Sequence, residues 1–192
     1  MLYKTFRVTE WWQRYRMTDK LIILDLDETL IHATSHKRDL AEDFIFDKYF
    51  VYKRPFLDDF LQQLSLDFKV GIWSSADDKY VESIVGLIKT NIRFEVVWGR
   101  SKCSYRRNIE QDTYVYEKRL AKLKKRGFAL EQILLIDDTP EKARPNYGNA
   151  IYIDEFRGDP NDNELNHLLK YLRTLKNCEN VRAVEKRNWR YK

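Results

Sequence analysis

Residues 21–30 read LIILDLDETL. Leu21, Ile22, Ile23 and Leu24 run without polar alternation over the length of one strand, the pattern of a strand buried on both faces. Where the apolar run stops, Asp25 and Asp27 follow, two residues apart. In a parallel sheet the carboxyl ends of the strands form the rim at which ligands bind, so both acids belong at the mouth of a site. Neighbouring carboxylates repel each other unless a cation or a shared proton compensates, and that cost at a strand end argues for chemistry.

Apolar runs of strand length recur at 68–73, 94–98, 133–136 and 150–153, separated by segments with helical spacing. Strands alternating with helices imply right-handed crossovers, so the expected fold is α/β, a Rossmann-like central parallel sheet flanked by helices. Pro55 opens a helix with Phe56, Phe60, Leu61 and Leu64 at helical intervals. Leu165, Leu168, Leu169, Leu172 and Leu175 form the stripe of a last helix, with Asp162 or Asn163 as its cap. Residues 44–53 alternate weakly and are rich in aromatics, which reads as an antiparallel strand or hairpin at the sheet edge. The polar, basic stretch 98–116 has no helical period, and a small β insertion is expected there. Neither gap holds a folded lid, so no large cap is expected and the site stays open to a bulky substrate.

The chain has 192 residues, 43% hydrophobic and 14% aromatic, enough for one well-packed core. No linker, repeat or low-complexity tract interrupts it, so a single domain over 1–192 is expected, its core at about 20–184 between a short N-terminal extension and a basic C-terminal tail. The aliphatic runs are too short to span a bilayer and residues 1–16 are too often charged for a secretory leader, which points to a cytoplasmic protein, nuclear if eukaryotic, with no membrane partner. Cys103 and Cys178 make neither a metal motif nor a disulfide framework. The net charge of +5 gathers in 4–16 and 182–192, read as solvated arms that suit an acidic phosphopeptide or nucleic acid equally. Residues 3–17, with Trp11 and Trp12, read as an amphipathic docking helix or an edge cover.

Three further positions stand out. Ser74 and Ser75 follow the strand-like run that ends at Trp73, where Ser is also a routine turn residue. Lys118, in YEKRL, stands at what reads as the start of a helix; a cation there opposes the helix dipole, so local energetics give no reason for it. Lys122, Lys124 and Lys125 compete with it and read as a solvated face. The run 133–136 ends in a second acid pair, Asp137 and Asp138, followed by Thr139 and Pro140.

The order of these motifs resembles the haloacid dehalogenase (HAD) superfamily of phosphoryl-transfer enzymes. DLDETL followed by His32 resembles one branch of it, the small phosphatases of the carboxy-terminal domain of RNA polymerase II and their NLI-interacting-factor (FCP1 homology) relatives. The likeness runs from about residue 20 to 184. It departs from the family at Ser74-Ser75-Ala76, where Thr followed by Ala-Ser is usual, and at Asp137-Asp138-Thr139-Pro140, where Asp-Asn-Ser-Pro is usual. The stretch after Arg100 is also several residues longer than in the family.

The resemblance implies a HAD fold and a role for each position. Asp25 is the nucleophile that forms an aspartyl-phosphate, and Asp27 is the acid/base that also offers its backbone carbonyl to the metal. Ser74 bonds a phosphoryl oxygen and Lys118 bridges Asp25 and the transferring group. Mg²⁺ is the implied cofactor, held by Asp25, Asp27 and Asp138, with Asp137 positioning Lys118 and metal waters. Tyr80 lies near the substrate and Arg100 at a substrate-contacting position, although Arg100 also reads as an exposed arginine of a basic hairpin. Thr29 is read as a local turn hydroxyl. The expected activity is a magnesium-dependent phosphoric monoester hydrolase acting on phosphoserine or phosphothreonine in a protein or peptide. The alternatives are a phosphatase of nucleic-acid ends or a small phosphorylated metabolite, and a binding module without turnover.

Overall fold

The computed structural model describes residues 19–88, 90–108 and 113–192. The reading of 3–17 as a docking helix, and the middle of the insertion, lie outside the described residues. The strands are β1 (Leu21–Leu24), β2 (Ile31–Thr34), β3 (Phe44–Phe46), β4 (Tyr49–Lys53), β5 (Lys69–Trp73), β6 (Phe94–Trp98), β7 (Ser104–Asn108), β8 (Thr113–Glu117), β9 (Ile133–Asp137) and β10 (Ala150–Tyr152). The α-helices are α1 (Leu57–Asp67), α2 (Asp78–Ile88), α3 (Pro140–Ala143) and α4 (Glu164–Thr174).

β1 has no exposed residue because it lies in the middle of the main sheet, whose order is β10-β9-β1-β5-β6 and whose pairings are all parallel. Its side chains alternate between two cores. Ile22 and Leu24 pack with Leu57, Phe60, Leu61 and Leu64 of α1, Val81 and Ile84 of α2, and the leucine stripe of α4. Leu21 and Ile23 pack with Trp73, Val96, Leu120, Leu123 and Ala143. This second face is covered by α3 and a 3₁₀ segment, Leu120–Arg126, instead of the α-helix read around Lys118. Two buried leucines three residues apart suit the three-residue turn of a 3₁₀ helix, and Gly127, at φ 88°, ends it.

Other expectations shift in detail. The helix read from Pro55 begins at Leu57, and Phe56 stays half-exposed at its N-cap with φ 66°. Residues 44–53 do form a hairpin, β3–β4, but it joins β2 in a separate antiparallel sheet, β2-β4-β3, and does not extend the main one. The insertion is the antiparallel hairpin β7–β8. Asn163 takes the N-cap position of α4, while the Asp162 carboxylate accepts from the Glu164 N–H at 2.9 Å. The basic C-terminal segment is docked: Val181 and Trp189 are buried, and Trp189 Nε1 donates to the Tyr152 carbonyl at 2.9 Å. Lys186 turns inward and donates to the carbonyls of Gly148 and Val184, so its charge is not solvated.

One buried cation ties these layers together. The Arg54 guanidinium is fully buried and makes two parallel bonds to Asp162, 2.9 and 2.8 Å, while donating to the carbonyls of Thr29 and Asp154. Burial alone would raise the Asp162 pKa, but Arg54 holds it below the usual carboxylate range. A depressed folded-state pKa means that the pair stabilises the fold above the unfolded value, about 3.9, and that this stability is lost as pH falls through the folded value. Asp162→Ala should therefore cost about 2–3 kcal/mol in urea unfolding at neutral pH, with the difference from wild type shrinking below about pH 4. A difference that stays constant with pH would show that the ion pair contributes nothing.

Candidate active site

Strand register builds the site. Leu24 pairs with Ile136 on one side and Ile72 on the other, so Asp25 comes level with Asp137 and Trp73 as the strands end, and Ser74 lies one residue beyond. The Asp25 N–H donates to the Ile136 carbonyl at 2.9 Å, and Ser74 N–H to the Trp98 carbonyl at 2.9 Å. Beyond Asp27 the chain turns tightly: Glu28 takes a left-handed φ of 59°, a conformation that costs a non-glycine residue about 1–3 kcal/mol. Glu28 is held there from both sides, since its N–H donates to Ile31 and its carbonyl accepts from Phe156. Its carboxylate pairs with His32 Nδ1 at 2.8 Å.

Lys118 follows directly on β8, not in a helical turn, and is fully buried. Its backbone is fixed by its N–H to the Lys142 carbonyl, 2.9 Å, and by its carbonyl, which accepts from Asn146. The ammonium lies 2.7 Å from Asp25 Oδ1 and 2.7 Å from Asp137 Oδ2. Burial alone would lower its pKa, but Asp137 and Asp25 together raise it, so it keeps its charge. For Asp25 the order is the same: burial would raise its pKa, and Lys118 and Lys142 reverse this, leaving the carboxylate ionised. Asp137 feels burial more than compensation and is pushed up to about 6.

Asp27 sits in a different environment. Its carboxylate turns away from the other acids and accepts from Tyr80 Oη at 2.6 Å and Ser74 Oγ at 3.1 Å. Burial, aided by the neighbouring Asp25 charge, raises its pKa despite these bonds. Two acids two residues apart are thus pushed in opposite directions, one kept ionised and the other made readier to hold a proton. Asp25, Asp137 and Asp138 each offer an oxygen, and these oxygens lie within 4.8 Å of one another. This group of carboxylates includes Asp137, while Asp27, expected to offer its backbone carbonyl, turns its side chain to Ser74 and Tyr80.

Two residues escaped the sequence reading. Thr29 is no local turn hydroxyl: it is buried and donates to Asp138 Oδ1 at 3.2 Å, joining the first acid motif to the last. Lys142, on α3, lies 3.5 Å from Asp25 Oδ2, and burial would lower its pKa but Asp25, Asp137 and Asp138 raise it. The only sequence signal for Lys142 was a lysine in the turn behind the second acid pair. Lys122 donates to the carbonyls of Lys102 and Cys103, away from the acids.

A groove of about 450 Å³ beside Asp27 is lined by Glu28, Ala33, Phe46, Tyr49, Ala76, Asp77 and Tyr80. Arg100 lies in a 3₁₀ turn before the hairpin, donates from Nε to the Ser75 carbonyl at 2.9 Å, and places its guanidinium 5.2 Å from the Tyr116 ring. Gly99 permits that turn: a Cβ there would meet Asp78 Oδ1 at 2.2 Å and its Cα at 2.7 Å. Tyr105 stacks between Tyr116, 5.0 Å away, and Tyr114, 4.7 Å away, carrying an aromatic strip outward from Arg100.

Residues 20–182 match the family model for NLI interacting factor-like phosphatases. Over 168 residues the chain is 31% identical to CTD small phosphatase-like protein 2 of Dictyostelium discoideum, covering 84% of this chain and 28% of that protein. It is 26% identical over 175 residues to the human Carboxy-terminal domain RNA polymerase II polypeptide A small phosphatase 1, covering 87% and 64%. The chain thus spans less than two thirds of each relative. The solved structure of Fcp1, an essential RNA polymerase II CTD phosphatase, superposes with a TM-score of 0.64 at 17% identity, over 88% of this chain and 65% of that one, which establishes the shared fold.

The buried triad makes one prediction about stability. Lys118→Met leaves Asp137 without its close counter-ion and Asp25 with only the longer contact to Lys142, and should cost about 3–5 kcal/mol in urea unfolding. Adding Asp137→Asn should restore part of the loss, because one unpaired charge is then gone. Additive effects of the two changes would contradict the coupling.

Proposed function

The chain belongs to the NLI interacting factor-like phosphatase family, and from that premise we propose that it hydrolyses phosphoserine or phosphothreonine in a protein or peptide through an aspartyl-phosphate on Asp25. The observation that carries this reading is the pairing of an ionised, lysine-flanked Asp25 with a tyrosine-bound Asp27 of raised pKa, two residues apart beyond the end of β1. Asp25 attacks phosphorus, forming the O–P bond as the bond to the serine or threonine oxygen breaks. Asp27, whose raised pKa favours its protonated form, donates a proton to that leaving oxygen. It then takes a proton from the water that attacks the aspartyl-phosphate, and inorganic phosphate leaves. Ser74 and Tyr80 fix the Asp27 carboxylate, and Lys118 holds Asp25 in place.

The donor set of Asp25, Asp137 and Asp138 is all oxygen, which fits a hard divalent cation such as Mg²⁺. Bound there, Mg²⁺ supplies the positive charge that offsets repulsion between the carboxylates and an incoming phosphoryl group. The groove beside Asp27, with Phe46, Tyr49 and Tyr80 in its wall, accepts an apolar side chain next to the phosphorylated residue. Such a groove favours a peptide over a small metabolite, and the human relative is named for a phosphorylated protein domain.

Asp25→Asn should show no turnover, because an amide is neither a nucleophile nor an anionic ligand. Wild-type protein trapped with substrate should carry a phosphate on Asp25 by mass spectrometry, and excess chelator should stop the reaction. An adduct on Ser74 or Cys103, or full activity in chelator, would mean another mechanism. Arg100→Ala should lower kcat/KM for phosphopeptides by about tenfold, with little change for an aryl phosphate, as expected for one charge-assisted contact. Higher efficiency on a nucleic-acid end or metabolite than on any phosphopeptide would replace the substrate class proposed.

A further inference from the structure

We infer that Lys142 is a second phosphate-binding cation of this site, taking hold of the phosphoryl group that arrives on Asp25 while Lys118 keeps its two carboxylates. The inference rests on the phosphatase reading above and adds a residue to it. The two lysines are joined through the backbone, since the Lys118 N–H donates to the Lys142 carbonyl. From that junction their side chains reach opposite oxygens of Asp25, Lys118 to Oδ1 at 2.7 Å and Lys142 to Oδ2 at 3.5 Å.

The two contacts are unlike. Lys118 has no exposed surface and its ammonium is engaged by Asp25 and Asp137 at close range, so little of it remains for a third partner. The Lys142 side chain is 23% exposed and its 3.5 Å contact with Asp25 is at the long limit of a hydrogen bond. An ammonium carries three protons, so Lys142 has donors left for oxygens entering from solvent. Its position on the short helix α3, with its N–H donating to the Thr139 carbonyl at 3.2 Å, keeps the stem fixed while the four-carbon side chain adjusts.

The charge balance gives Lys142 its use. Three carboxylates, Asp25, Asp137 and Asp138, face the ammonium groups of Lys118 and Lys142. A divalent cation among the acids would leave the cluster positive only if both lysines are present, and a phosphate monoester arrives as an anion. Without Lys142 the loaded site is neutral and loses its long-range attraction for that anion. The same charge must also oppose a metal ion beside it. Removing Lys142 therefore acts in opposite directions on the two ligands, a signature that general damage to the site does not produce.

The test is calorimetric titration of wild type, Lys142→Met and Lys142→Arg, first with Mg²⁺ alone and then with inorganic phosphate in saturating Mg²⁺. Lys142→Met should bind phosphate about tenfold more weakly while binding Mg²⁺ as tightly as wild type or more so, and Lys142→Arg should recover most of the phosphate affinity. Unchanged phosphate affinity in Lys142→Met overturns the inference, and so does parallel loss of both ligands with a lower unfolding midpoint, which marks a structural counter-ion. Wild-type protein that binds no phosphate and hydrolyses no phosphomonoester overturns the phosphatase reading itself, and this inference with it.

Discussion

An ammonium group with no exposed surface must find its counter-charges inside the protein, and Lys118 finds them at the ends of two neighbouring strands. Taking an ammonium and two carboxylates out of water costs several kcal/mol per ion, and only close geometry offsets it. That geometry comes from the parallel register of β1 and β9, which sets Asp25 beside Asp137, and from the backbone bonds that fix Lys118 after β8. Displacing any of these elements exposes an uncompensated charge, so the interaction that orients Asp25 also enforces the topology around it.

The same arrangement explains how two acids so close in sequence differ. Asp25 ends its strand between two lysines and stays ionised, whereas Asp27 lies past the turn, where a tyrosine and a serine are its partners and burial dominates. The strained Glu28 backbone makes the separation possible by turning the chain sharply after Asp27. Strain of this kind persists only where surrounding bonds over-determine it, here those to Ile31, Phe156 and His32.

The main sheet was legible because β1 and β9 at its centre are aliphatic runs, and the acid pairs were legible because they sit where those runs end. Lys118 was identified from its conflict with a helix dipole, although the helix is not there: the conflict dissolves once the residue follows a strand and precedes a 3₁₀ turn. Leu120 and Leu123 fit either helix type, so two residues could not decide between them. β2, Ile31–Thr34, was missed because four residues with one polar interruption carry too little pattern. Thr29 and Lys142 were hidden for another reason, since their partners lie 109 and 117 residues away and no local period reports such a contact. The C-terminal charges read as solvated because Lys186 and Trp189 are buried only by what they meet in space.

The strand order β10-β9-β1-β5-β6 also sets a timetable. β1 leaves a ribosome well before one of its two neighbours, β9, which begins at Ile133, and before the residues that neutralise Asp25, at 118 and 142. Until β9 and the residue at 142 have emerged, a wholly apolar strand is bare along one edge and ends in unpaired acids. A nascent chain of this design therefore stays dependent on protection from aggregation until then, and the acid cluster assembles only when the late strand closes the middle of the sheet.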